Sequence, residues 1–440
     1  MDESLLNWRV LANWSKLVIM THNRLVIIAL TAASFPVALT IACRPAPLTI
    51  RSSLAVAVQY QNINLQVVAD SLPGFTFQQK EQTTQPQWFQ RLRKDFTDDK
   101  LSDLYLAEWG QELFSLVESG DLIDGRPYWK RSTLFNRAPA WLAHSTSGPA
   151  QGFLPSAVYT WGIFVNHELA RWYMATEPTT MEALEAVFEA AKRDGITPIA
   201  LGSAYGWPGA AWFTILDLRL NGAAAVSERY SGKRPFDDAG GAQVFRKLAD
   251  WRDKGWFSED ASTKPMKDSL RAVETGKALC VLIGAFAMEQ FSYPDNVRFA
   301  AIPYADGSPY RAEIAGMSGY VLPASIDPAK AETAFAFLDA IWKAGSPDQA
   351  MDEYKVPFLA VMNASATQGT VVKLAINEFK RVQAVILAGA DDIVLSFDRA
   401  MPAQALQDSI PLWATFFGPT GGDGNTFANK FQSTIGRSIK

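Results

Sequence analysis

The sequence predicts an α/β fold arranged as two lobes, and three observations predict it. Short apolar strands alternate with amphipathic helices, the pattern of sheets covered by helices. Beyond an apolar leader that ends near residue 42 of 440, roughly 400 residues remain, more than one simple core accommodates. No repeat of roughly 20–50 residues is visible, which sets aside solenoids and propellers.

The elements follow in order. Leu48-Thr49-Ile50 and Phe75-Thr76-Phe77 read as strands around a helix, and Asp103-Leu104-Tyr105-Leu106 as the next strand. Glu182 stands three residues after Thr179, the spacing of a capping box, so a helix starts there. Its inward face is Met181, Leu184, Phe188 and Ala191. Gly195 ends it, and 197–201 follows as a short buried strand. Gly206-Trp207-Pro208 reads as a loop before a helical pattern holding Trp212, Ile215, Leu216 and Asp217. A helix over 242–254 turns Val244, Phe245, Leu248 and Trp251 inward and stops at Gly255. A short helix over 269–275, closed by Gly276, leads to a strand over 278–283. Gly316-Met317-Ser318-Gly319 reads as a turn of small residues before a strand over 320–322. Asp327-Pro328 opens a helix with inner face Ala331, Ala334, Phe335, Leu338 and Trp342. The Gly-rich stretch 418–425 follows no strand and lacks the lysine of a phosphate loop, so it is a turn before a last helix over 426–435.

Composition excludes several classes. The net charge is −4 with no basic block, which gives nucleic acid no footprint. Of the two cysteines, Cys280 lies in the apolar run Ala278-Leu279-Cys280-Val281-Leu282-Ile283 and reads as a buried strand residue. Two cysteines cannot build a structural metal site. Beyond the leader only His144 and His167 remain, and His167-Glu168-Leu169-Ala170-Arg171 lacks the second histidine of a zinc-protease helix. No Gly-x-Ser-x-Gly elbow is present. Neither metal nor cofactor is predicted. The abundant candidate is aromatic: 14 tryptophans, several beside Gly or Pro in loop-like sequence.

Leu39-Thr40-Ile41-Ala42-Cys43-Arg44-Pro45-Ala46, after an uncharged apolar run over 25–42, resembles the cleavage site of a bacterial lipoprotein signal peptide. The resemblance implies cleavage before Cys43 and a diacylglycerol anchor on its thiol. Residues 1–46 are then signal and tether, starting at Met1 or at Met20, with His22 and Arg24 before the run. Thr40 departs from the pattern, which prefers Leu there. An uncleaved membrane anchor is the rival reading; Pro36 and the terminal cysteine favour the lipoprotein. The protein is expected in the periplasm or on the outer face of the cytoplasmic membrane.

Val158-Tyr159-Thr160-Trp161-Gly162-Ile163-Phe164-Val165-Asn166-His167 followed by Pro178-Thr179-Thr180 resembles the crossing strand and next helix start of family 1 extracellular solute-binding proteins, the sugar receptors of ABC importers. Pro198-Ile199-Ala200-Leu201-Gly202, Gly206-Trp207-Pro208, Ala211-Trp212-Phe213, Phe236-Asp237-Asp238, the stretch 251–257 and Phe286-Ala287-Met288 continue the likeness in order. It is weakest over 51–90. The resemblance implies a two-lobe periplasmic-binding-protein fold (type II), each lobe a central sheet flanked by helices, with ligand in the interlobe cleft. Lobe I is expected over 47–157 plus 295–345 and lobe II over 158–294 plus 346–440, with crossings near Ala157, Asp295 and Gly345. It also implies a non-catalytic monomer. Its partners would be a sugar, oligosaccharide or small glycoside such as a glycosylated polyol, the permease subunits, and the membrane through the anchor.

A sugar presents a flat face of C–H groups rimmed by hydroxyls, so its site needs aromatic plates and polar groups at their edge. Trp207 is the leading plate. Glu108, Trp109 and Gln111 follow a strand whose end would face the cleft. Trp161 on the crossing strand, Trp212 and Asp217 in the helical pattern, and Phe286 after Gly284-Ala285 are further candidates, with lobe core the alternative for Trp161 and Trp212 and a surface carboxylate for Asp217. Gly316 and Met317 would let backbone approach ligand, and Asp398 with Arg399 resembles a late cleft loop. Trp129, Trp251, Trp256, Trp342 and Trp413 read as structural. Two rivals stay open: a glycoside hydrolase, which needs two carboxylates across one sugar, and a ligand-sensing module for a membrane kinase.

Overall fold

The computed structural model describes residues 16–21, 24–29, 47–51, 72, 77–79, 94–97, 101–131, 152–344 and 370–439. Cys43, the residues around it and His144 lie outside that set, as do the side chains of Trp129 and Trp342. The chain divides into two units, Met1–Pro45 and Ala46–Lys440. In the first, strand β1 (Lys16–Thr21) pairs antiparallel with β2 (Arg24–Ala29), with Thr21 opposite Arg24. Among the described residues no helix is long and apolar enough to cross a membrane.

The second unit is organised on one strand. β6 (Leu154–Asn166) is 13 residues long and passes through both hydrophobic cores. Its first half pairs with β10 (Glu313–Val321), and its second half pairs with β8 (Ala278–Gly284) and β9 (Val297–Ala300). On the lobe I side β3 (Leu48–Arg51), β4 (Phe77–Gln79) and β5 (Leu104–Glu108) run parallel, and β10 joins them antiparallel through β5. On the lobe II side β7 (Thr197–Ile199) pairs parallel with β8. The two-residue β11 (Ile393–Val394) pairs with the start of β10. Every residue of β8 is buried, as expected of a strand covered on both faces.

The cores place the lobe boundaries. Lobe I collects Leu48 to Val158, Ala315 to Leu338, and Ala384, Leu387 and Ile393. Lobe II collects Tyr159 to Ile314 and most of the chain from Phe379 onward. The chain passes from the first core to the second between Val158 and Tyr159 and back between Ile314 and Ala315; β9 pairs with β6 within the second core, so no change of core falls near Asp295. The helix Thr370–Gly389 and the residues of β11 send side chains into both cores.

Local chemistry explains the helix ends. Thr180, one residue after the expected cap, accepts from the Ala183 amide and starts Met181–Arg193. Asp238 caps Ala239–Asp253, and Asp423 caps Gly424–Ser438. The short helix is Met266–Glu274, and its following strand starts at Ala278 as expected. Gly316–Gly319 lies inside β10 rather than in a turn before it. Cys280 is buried, and burial pushes its thiol up.

Asp103 ties lobe I together. It accepts from the Thr49 amide and hydroxyl, each at 2.8 Å, and from Lys330 of the helix Pro328–Ala344 at 2.9 Å. Burial alone would raise its carboxyl, but the Lys330 and Thr49 contacts outweigh burial and leave it below the usual range. Stability from this carboxylate is present above its unfolded pKa of about 3.9 and is lost as pH falls through its lower folded value. Asp103→Asn should lower the denaturation midpoint at pH 7 and approach wild type below about pH 3. Equal loss at both pH values would contradict this.

Candidate functional site

Period-2 alternation puts Tyr159 and Trp161 on one face of β6, where the strand passes from one core to the other. Room for these rings comes from glycine. Gly316 is the partner of Tyr159 in β10, and a Cβ there would collide with the tyrosine ring. Gly284 is the partner of Trp161 in β8, and a Cβ there would stand 2.5 Å from Phe286 and 3.2 Å from Tyr159. The rings meet edge to face: Tyr159 with Phe286 at 5.3 Å, Trp161 with Phe286 at 6.3 Å, and Trp161 with Trp207 at 6.1 Å. Trp161 is buried, whereas Trp207 and Phe286 are half-buried. Trp207 opens the helix Trp207–Tyr230 after Gly206, whose φ of 77° suits glycine and whose absent side chain lets Ile410 and Trp413 pack close.

A polar cluster adjoins this aromatic group. Glu108 ends β5, and Arg399 lies in the short helix Phe397–Ala400. Their side chains form an ion pair, and Arg399 Nε stands 3.5 Å from Asp398. Ser396 donates to Asp398 at 2.6 Å. The Tyr159 hydroxyl lies within the field of Glu108, Arg399 and Asp398, which places the aromatic group beside the charged one. Gly110 lets the Arg399 backbone approach, since a Cβ at 110 would stand 2.8 Å from the Arg399 carbonyl. The side chains remain partly exposed, Glu108 at 14%, Arg399 at 17% and Asp398 at 23%. Burial opposes the Arg399 charge, but Glu108 and then Asp398 outweigh it and hold the guanidinium above its ordinary range. Burial, then the Glu108 charge, pushes the Tyr159 hydroxyl up, so it remains a protonated donor.

The structure thus brings Glu108, Trp161, Trp207, Phe286, Gly316, Asp398 and Arg399 together. Trp109 and Gln111 follow directly; the Trp109 amide donates to the Met317 carbonyl at 2.9 Å, and its ring meets Phe114 at 6.1 Å. Three expected contacts are corrected. Trp212 is 0% exposed and packs on Trp251 at 5.5 Å inside lobe II, because its helix buries nearly every side. Asp217 is also 0% exposed and pairs with Arg229 at 2.9 Å across the break at Gly222. The Met317 side chain is 1% exposed and belongs to the lobe I core; only its backbone reaches Trp109. Gly316 lies beneath the Tyr159 ring, so it makes room for an aromatic rather than for open backbone. Tyr159 itself was not among the expected residues. Its signal was present in the alternation with Trp161.

The fold, with one strand threading two cores, meets its match among known proteins. The model of the bacterial extracellular solute-binding protein family matches residues 75–345, more than half of the chain. The chain belongs to this family. It is therefore a solute receptor and not an enzyme. The solute receptor AcbH, described with an exclusive preference for β-D-galactopyranose, superposes with a TM-score of 0.69 at 16% identity, covering 90% of this chain and 100% of that one. A probable secreted solute-binding lipoprotein of Streptomyces coelicolor gives 0.68 at 18% identity, covering 88% and 98%. The sugar-binding protein MalE of Xanthomonas citri gives 0.66 at 14% identity, covering 89% and 97%. At these identities the likeness establishes the fold. No protein of curated function matches the sequence.

Glu108 and Asp398 are both drawn to Arg399, and Asp217 is sealed in a lobe.

Proposed function

We propose that this solute-binding protein is the sugar receptor of an ABC importer. The observation that carries the reading is the joining of half-buried Trp207 and Phe286 to Glu108, Asp398 and Arg399 at the crossing strand. The aromatic rings suit the C–H face of a sugar, and the charged groups suit its hydroxyl rim. The Glu108–Arg399 pair links β5 of lobe I to the chain that packs in lobe II, so ligand held there biases an open–closed equilibrium of the lobes. The sugar-binding names among the structural relatives support the same reading. The cargo is a sugar, oligosaccharide or small glycoside, handed to permease subunits.

Cys43 is the proposed lipid anchor, in keeping with the 39–46 sequence and the lipoprotein among the relatives. Fatty-acid labelling in a bacterial host should mark the wild-type chain and not a Cys43→Ser variant. A label that survives the substitution would remove the assignment.

A thermal-shift panel of mono- and disaccharides, oligosaccharides and glycosylated polyols tests the receptor reading, since a ligand of the native state alone raises stability by RT ln(1 + [L]/Kd). One compound should raise the melting temperature and be recovered unaltered. No shift with any member would contradict the carbohydrate assignment.

A further inference from the structure

Behind the aromatic group, the strand that joins the lobes carries a polar contact that is only half made. β6 changes partner at Thr160: Thr160 stands opposite Ala315, where the pairing with β10 ends, and Trp161 stands opposite Gly284 of β8. Both changes of core, between Val158 and Tyr159 and between Ile314 and Ala315, fall beside this point. Alternation puts the Thr160 side chain on the face of β6 opposite Tyr159 and Trp161. Gln383 reaches the strand there from the helix Thr370–Gly389, between Val382, which packs on the lobe II core, and Ala384 of the lobe I core. The Thr160 amide donates to Gln383 Oε1 at 3.4 Å, which fixes the end of the carboxamide that faces the backbone. Both residues are 0% exposed. Thr160 Oγ1 and Gln383 Nε2, an acceptor and a donor on this same pair of residues, have no hydrogen-bond partner among the described residues. A buried polar group left so carries a desolvation penalty. A small shift of helix against strand, the motion that turning one lobe on the other requires, relieves both at once.

We infer that Thr160 and Gln383 form a latch at the hinge, that the bond from Gln383 Nε2 to Thr160 Oγ1 is made in a more open arrangement of the lobes, and that the pair thereby sets sugar affinity without touching the sugar. The affinity effect rests on the sugar-receptor reading; the latch itself does not. The site indicates which arrangement is the open one. Here the lobes already meet, through the Glu108–Arg399 ion pair and the close approach of the Arg399 backbone to Gly110, and in this arrangement the latch is unpaired. Closure on a ligand therefore breaks the latch, and apparent affinity is lowered by the share of molecules it holds open. Thr160 and Gln383 are positioning residues in this sense.

The test is Thr160→Val in the full chain, which removes the hydroxyl, keeps the shape and leaves the strand amide bonded to Gln383. Without ligand, the variant should have a smaller radius of gyration than wild type by small-angle X-ray scattering. By calorimetric titration it should bind the tightest sugar of the thermal-shift panel, beginning with maltose, cellobiose, lactose and chitobiose, more tightly by at least about threefold in Kd. A gain of affinity is a result that mere damage to the fold does not give. Thr160→Ser keeps the hydroxyl and should match wild type in both measurements. Thr160→Ala carries the expectations of the valine variant should that variant fail to fold. An unchanged radius of gyration, as when a water bridges the two groups in every arrangement, would overturn the latch. Affinity that is unchanged or weaker, or a serine variant that behaves like the valine one, would overturn it too. If no panel sugar binds the wild type, the sugar-receptor reading fails, and the ligand-free radius of gyration alone decides the latch.

Discussion

An Arg229→Met variant will lose about 3–5 kcal/mol of stability, the cost of leaving one member of a buried ion pair without its partner. Arg229 and Asp217 are both 0% exposed, 2.9 Å apart, and join the two halves of the helix that breaks at Gly222. Arg229 also pairs with Asp238 at 2.7 Å, which ties in the cap of the following helix. Burial already raises the Asp217 carboxyl, with Arg229 the main opposing influence. Without Arg229 that carboxyl rises further. A carboxyl raised in the folded state contributes stability at pH below its unfolded value and loses it as pH climbs through the folded one. Guanidinium denaturation of the variant should therefore show its deficit growing from mildly acidic to alkaline pH. Adding Asp217→Asn should recover much of the loss. A deficit independent of pH and untouched by the second substitution would mean that packing, not charge, is lost.

Two tryptophans five residues apart should respond in opposite ways. Trp207→Ala removes a half-buried ring whose described aromatic contact is edge to face with Trp161, so the fold should stay cooperative and lose on the order of 1 kcal/mol. Ligand affinity should fall by about 2 kcal/mol or more, roughly thirtyfold in Kd, as for an aromatic anchor of a binding site. Trp212→Ala instead empties the interior beside Trp251 and Phe257, and should cost about 3–5 kcal/mol of stability. Calorimetry and denaturation of the two variants separate the roles. A Trp207→Ala protein with unchanged affinity would take Trp207 out of the site.

The contrast shows what the sequence carries. Helix faces such as Met181, Leu184, Phe188 and Ala191 were legible because periodicity reports burial directly, and all four are buried. The strand over 278–283 was legible for the same reason. Lobe boundaries were not, because a crossing is a change of neighbours rather than of pattern. Val297–Ala300 reads as a strand wherever it pairs, and only its register with β6 places it in lobe II. The site divides in the same way. The partial exposure of Trp207 was legible from the Gly and Pro beside it, whereas Trp212 lies in a helix buried on nearly all sides, where no polar face marks the inside. Glu108 and Arg399 were each identifiable, but their pairing joins residues almost 300 positions apart. Tyr159 needed three facts at once: its face on β6, and the glycines at 284 and 316 that make room for its ring.

Closure of the two lobes on a sugar at the crossing strand should be visible in solution, by small-angle X-ray scattering of the chain alone and saturated with the sugar giving the largest thermal shift. A smaller radius of gyration is expected with ligand, and for Trp207→Ala the same decrease should require a roughly thirtyfold higher sugar concentration. A saturated wild-type protein whose radius of gyration does not change would contradict it.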